Sequence, residues 1–311
     1  MSGKHVSGRG LTAAGLAFGI WGLLPLYLHA LLSVSALQIV SQRIAWSSLF
    51  VLLTLAARRE LPGLMNALRT ERVRNRLILT TGLISINWLL YVWAVGHGHV
   101  IESSLGYFIN PLMNVLLGVL VLRERLSPVR WASVGLAALA VGYLTVTTGR
   151  PPWIALTLAA SFSLYGLLRK ITAVEALPGL ATETLLLTPL AVGYLIWCDV
   201  AGVGAFGHAG ATVTALLVAA GPVTAVPLVL FAYAARRIPY STLGVMQYIA
   251  PSLQLACGVF FFHEPFEPAR RIGFALIWTA LALYAGEGVW QAHRVARQRA
   301  RALKAAGELG G

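Results

Sequence analysis

Apolar runs of membrane-crossing length recur from one end of this chain to the other, and they leave it few ways to fold. A helix needs about 20 mainly apolar residues to cross the hydrocarbon core of a bilayer. The sequence offers such stretches at 11–32, 37–57, 77–96, 103–122, 129–148, 152–168, 180–198, 212–235, 241–262 and 272–290. Charged residues are 11% of the 311, against about 25% in a soluble protein, too few to keep that much apolar surface in water. Barrel strands are about ten residues long and alternate apolar with polar, whereas Leu136–Val146 and Leu276–Tyr284 do not alternate. In lipid a helix bonds its own backbone groups. The expected fold is an all-α integral membrane protein with ten transmembrane helices. The first run is longer than a signal-peptide core, and a later helix repeats part of it, so it reads as a span. The longest polar stretch, Arg58 to Arg76, has the size of one amphipathic turn and helix.

A net charge of +13 would suggest nucleic acid for a soluble protein. Here the charges sort by membrane side instead, and no nucleic-acid partner is expected. With ten spans and both termini cytoplasmic, twenty of the 24 Lys and Arg fall inside, Arg150, Arg270 and Arg271 fall outside, and Arg43 lies within a span. Basic residues favour the cytoplasmic side, which sets the orientation and favours an even number of spans. Cys198 and Cys257 suit small packing residues, in neither a disulfide framework nor a zinc spacing. His263-Glu264 has no second histidine four residues on, so it is no metalloprotease motif. Neither metal nor cofactor is expected.

The chain repeats itself at an offset of about 140 residues. Pro111, Gly118, Val119, Glu124, Pro128 and Arg130 correspond to Pro251, Gly258, Val259, Glu264, Pro268 and Arg270. Ser103–Gly106 parallels Ser241–Gly244 at 138, and Phe18–Leu24 parallels Phe162–Leu168 at 144. The offset is too long for a solenoid, whose period is about 20–50 residues. Five spans separate equivalent positions, and five is odd, so the second copy enters the membrane upside down. Inverted repeats are the architecture of many secondary transporters. The division expected is a first five-helix repeat over 1–148, a second over 149–290 and a basic cytoplasmic tail over 291–311.

Several longer strings carry a family likeness. They are Gln42–Ser47, Asn87–Val95, Glu102–Pro111, Tyr165–Lys170, Glu183-Thr184, Ser241–Gly244 and Gln247–Pro251. Over nearly its whole length the chain resembles the RarD, or chloramphenicol-sensitivity, group of the EamA branch of the drug/metabolite transporter superfamily. The resemblance implies ten helices in two five-helix halves and export of small molecules across a bacterial inner membrane. The drug phenotype behind the group's name does not identify a natural cargo.

Ionisable and amide groups at membrane depth are costly and default to a functional reading. The candidates are Gln42, Arg43, Asn87, Asn110, Asn114, Glu183, Gln247 and Gln254. Arg43 and Glu183 are repeat equivalents, opposite in sign. Close to a pseudo-two-fold axis they would meet, and pairing would lessen the penalty of burying either. The alternatives are a snorkelling Arg43 and a Glu183 at a helix start. A buried Glu183 could also carry a coupling proton. Trp21, Trp88, Tyr91, Trp93, Tyr107 and Tyr248 cluster beside the amides. Aromatic faces suit an uncharged or cationic organic substrate, although such residues also serve as interface anchors. Pro25, Pro111, Pro189, Pro222, Pro227 and Pro251 fall within spans and permit kinks, with the partners Pro111 and Pro251 candidates for a gate or for plain structural bends. Gly15, Gly19 and Gly22 would allow close helix approach on one face. Glu124 and Glu264 read first as loop punctuation before Pro128 and Pro268, and second as gates. His97 and His99 stand in an outside loop, where they either sense pH or are simply solvated.

The leading reading is a secondary exporter that works between its small-molecule substrate and the lipid bilayer. No GxxxxGK[ST] sequence occurs, so an ion gradient or exchange would supply the energy. Its rivals are a membrane sensor or assembly subunit with a transporter fold, and an integral-membrane enzyme, which would need a compact acid/base or metal cluster near one interface. The sequence is silent on oligomeric state.

Overall fold

The computed structural model describes residues 8–308, apart from 124–126, 173, 236, 239–242 and 244–245. Glu124, Ser241, Thr242 and Gly244 of the repeat lie outside the described residues. Among those described, every regular element is helical: α1 Gly8–Gly22, α2 Leu24–His29, α3 Ala36–Ala57, α4 Leu61–Arg69, α5 Glu71–Gly96, α6 Val100–Leu122, α7 Pro128–Thr148, α8 Trp153–Ile171, α9 Ala176–Val200, α10 Ala211–Ala235, α11 Ile249–Ala256 and α12 Pro268–Glu308. A π-helical turn, Cys257–Phe261, follows α11 directly.

Among the described residues, seven helical stretches are long and apolar enough to cross a membrane: α1 with α2, α3, α5, α6, α7, α9 and α10. Two more, Trp153–Arg169 and Ile249–Phe261, are apolar but shorter; they fall at the sixth and ninth expected spans. The tenth expected span lies inside α12, which at 1.5 Å per residue is about 60 Å long, twice the hydrocarbon thickness. The tail expected as a separate segment therefore continues the last helix as far as Glu308. The amphipathic helix expected between Arg58 and Arg76 is α4, whose Leu64 and Ala67 are buried. Leu64 sits in one core cluster with Leu177 and Leu180 of α9.

Local chemistry sets most helix ends. Ser35 and Ser127 accept the backbone N–H three residues on, from Gln38 and Arg130, the usual N-cap arrangement. Pro128 opens α7, where its missing N–H has no partner to lose. The first expected span is divided, with Leu23 between α1 and α2. Pro25 has no N–H to offer Trp21, four residues back, so that carbonyl is left without its helical donor. Gln254 Nε2 supplies one from α11 at 3.1 Å.

The helices of the two sequence repeats interleave. α6 packs on α8 and α1 on α11; α3 packs on α10 and α9 on α5; α1 packs on α10 and α8 on α5. The pairs α3 with α9, α6 with α11 and α7 with α12 are also closely packed, as are α4 with α9 and α3 with α5. Exchanging the first five expected spans for the last five maps the first nine of these pairs onto themselves, whereas α3 with α5 has no comparable counterpart in α9 with α10. Two close approaches fall at pairs in this list. A Cβ on Gly106 would lie 2.8 Å from the Ala155 carbonyl of α8, and one on Gly22 would lie 2.7 Å from Leu253 Cβ of α11. The expected small-residue face of α1 is thus Gly22 alone, since Gly19 has open space and Gly15 ordinary contact. Each buried core cluster draws on both repeats. One joins Leu24–Val100 to Ile154–Leu217, and another joins Ile101–Leu144 to Ala155–Leu281.

Candidate functional site

Arg43 is the eighth residue of α3 and is 9% exposed. Its Nε donates to Thr224 Oγ1 of α10 at 2.7 Å, and its guanidinium stands 4.5 Å from the ring centroid of Trp88 on α5. Thr224 in turn donates to the Ala220 carbonyl, so its oxygen is oriented to receive Arg43. Tyr27, Tyr91 and Tyr107 are the guanidinium's electrostatic neighbours. The rings of Tyr91 and Tyr107 meet edge to face, 5.7 Å apart. Tyr27 donates to the Leu216 carbonyl, whereas the buried Tyr91 hydroxyl has no hydrogen-bond partner among the described residues.

Glu183, 1% exposed on α9, forms a second centre. Thr80 of α5 donates to its Oε1 at 2.6 Å and Tyr165 of α8 to its Oε2 at 3.1 Å. Arg169 Nε approaches to 3.9 Å. The pairing of Glu183 with Arg43 expected from repeat symmetry is not formed. Both point into the bundle, but each has partners of its own. The reason is register: Tyr165 and Arg169 are four residues apart, so they share one face of α8, and that face meets Glu183. Counted from sequence among the cytoplasmic charges, Arg169 instead turns inward from the last turns of α8. The string Tyr165–Lys170 was already notable, and its four-residue spacing was the available signal; nothing local marked Thr80.

The amides divide. Asn87, 1% exposed, donates to the Leu158 carbonyl at 3.1 Å and to Ser161 Oγ at 3.0 Å, fastening α5 to α8. Asn110 Oδ1 accepts from Ser163 Oγ at 2.8 Å, fastening α6 to α8. Gln42 accepts from Trp46 Nε1 on its own helix. Asn114 and Gln247 are exposed. Tyr248 is half-buried and stacks on Phe108, 6.4 Å away, within the second core cluster. Trp93 stacks on His97 and His99 and touches Trp153 at the start of α8.

Helix α6 runs on past Pro111, whereas its repeat partner Pro251 is the third residue of α11. There a missing N–H breaks no helical bond, so the two prolines do not do the same thing. Glu264, expected as loop punctuation, accepts from Val100 N at 2.6 Å and Ile101 N at 2.9 Å. Its carboxylate caps α6 from across the molecule, where the helix dipole favours negative charge. Glu102 does the same for Ile154 at the start of α8, at 3.1 Å. Two surface recesses, of about 250 and 340 Å³, are lined in part by Arg58, Glu175 and Tyr233 and by Glu102, Arg150 and Arg270 respectively. Neither is lined by Arg43 or Glu183. No group of three or more His, Cys, Asp or Glu among the described residues is placed to hold a metal.

The EamA-like transporter family model matches residues 8–146. Protein RarD of Streptomyces exfoliatus is 44% identical over 98% of this chain and 96% of its own length. An uncharacterized transporter of Pseudomonas aeruginosa is 44% identical over 92% of this chain and 96% of its own. A solved crystal structure at 20% identity covers 88% of this chain and 96% of that one with a TM-score of 0.59, a likeness of fold alone. Full-length identity at this level, with buried charges inside a bundle of apolar helices, places the chain among multi-pass membrane proteins of transporter type: it belongs to the RarD group of the EamA-like transporter family.

Proposed function

We propose that this chain is a secondary active transporter that exports a small metabolite or drug-like molecule across a bacterial inner membrane by alternating access. In this reading ten spans form two inverted five-helix halves, and both termini are cytoplasmic. The observation that carries it is the interleaved packing, most of whose closest helix pairs map onto one another when the halves are exchanged. Two halves so related can trade conformations, and the trade moves the opening from one membrane face to the other. Arg43 and Glu183, at repeat-equivalent positions on the mutually packed α3 and α9, stand where cargo and a coupling proton would be handled.

The test begins with metabolite profiles of medium from cells lacking and cells overproducing the protein. A compound enriched by overproduction is then labelled and tested for counterflow into liposomes holding the purified chain. Counterflow is expected. Altered profiles without counterflow would mark a sensor or assembly subunit instead. For the orientation, cysteines placed at Gly3 and at Ala306 should resist an impermeant reagent applied to intact cells, and labelling of either overturns it.

A further inference from the structure

We propose that the cargo is a small organic anion, and that Arg43 is its receptor; the assignment rests on the transporter reading. Arg43 is nine-tenths buried, and no ion pair among the described residues includes it. The carboxylate at its symmetry-equivalent position, Glu183, is held by Thr80, Tyr165 and Arg169. A buried cation without a counter-ion is unfavourable in a bilayer interior unless something supplies the opposite charge. The guanidinium is also incompletely used. Nε–H goes to Thr224, while the two terminal nitrogens donate to nothing among the described residues. Those nitrogens form the planar fork that matches a carboxylate or phosphate with two parallel bonds.

The surroundings fit the same ligand. Trp88 covers one face of the guanidinium and leaves its edge for the anion. The Tyr91 hydroxyl, buried and without a partner among the described residues, and the neighbouring Tyr107 offer further donors. Their rings give an apolar wall for the organic body. A cationic cargo, one of the expectations from the aromatic residues alone, would meet an unneutralised like charge.

The test uses the full chain in nanodiscs and four matched probes: benzoate, phenyl phosphate, benzamide and benzylamine. At least one anion should raise the thermal unfolding midpoint at millimolar concentration, and benzamide and benzylamine should not. Which anion acts tells carboxylate from phosphate. Arg43→Lys should keep a smaller shift and Arg43→Gln should lose it. Equal shifts from the neutral or cationic probe, no shift from either anion, or an anion shift that survives Arg43→Gln would each overturn the proposal. Should Arg43→Gln not be recovered folded, the matched probes on the unaltered chain still decide, because they differ in charge at nearly constant shape. Liposome counterflow separates the two readings. An anion that binds through Arg43 but is never exchanged refutes transport and leaves the anion site standing. Counterflow of a neutral compound at an equal rate in Arg43→Gln refutes the anion assignment and leaves transport standing.

Discussion

Arg43 and Glu183 occupy equivalent places in the repeat, yet their side chains answer to different neighbours, and this decides how substitutions combine. Arg169→Leu strands the Glu183 carboxylate at 1% exposure and should destabilise the protein by about 3 kcal/mol, the scale for breaking a buried pair. The Arg169→Leu/Glu183→Leu double variant should recover part of that loss. Arg43→Gln and Glu183→Gln share no hydrogen-bond partner, so their effects should add within about 0.5 kcal/mol. Denaturation in nanodiscs measures both cycles. A coupling between Arg43 and Glu183 as large as that between Arg169 and Glu183 would contradict the geometry. The sequence could nominate both charges as intramembrane, but it could not distribute their partners. Those come from α5, α8 and α10, and their facing depends on how each helix is rotated in the bundle.

Helix-level design shows in the joint between α1 and α2. Pro25 removes one helical bond, and Gln254 from α11 restores a donor to the orphaned Trp21 carbonyl. Gln254→Leu should therefore destabilise by about 1–3 kcal/mol, the desolvation penalty of an unsatisfied buried acceptor. Adding Pro25→Ala should recover part of the loss, because alanine returns the missing N–H. Thermal unfolding of the two single variants and the double decides it; a double variant as unstable as Gln254→Leu alone would show that the carbonyl is not the issue. Glu264→Gln should cost about 1 kcal/mol through the weakened α6 cap, read by the same measurement. The spans themselves were legible because their signal is local and long. The joint was legible only in part, since Pro25 announces a break without saying what will mend it.

At the scale of the whole molecule, each buried cluster combines residues from both repeats. Among the described residues neither 1–148 nor 149–311 encloses a core of its own, so each expressed alone should be degraded or aggregate. Expressed together they should assemble, and each should raise the other's level in the membrane. Immunoblots of membrane fractions, with a tag on each piece, measure this. Accumulation of either half alone at the level of the intact chain would show that the interleaved contacts are dispensable.

Run length and composition were enough to determine that the chain crosses a membrane as helices, because the hydrocarbon core imposes a length and forbids unpaired backbone. The offset of 140 residues and the quoted strings pointed to the repeat and the family in the same local way. What the tertiary structure alone decided is pairing. It set Glu183 against Arg169 rather than Arg43, turned Asn87 and Asn110 into fasteners on α8, and sent Glu264 to cap a helix more than 160 residues away. A polar side chain in an apolar interior must find a partner, and sequence shows the need. Which partner meets it depends on the rotation and depth of helices far apart in the chain, and only their packing fixes those.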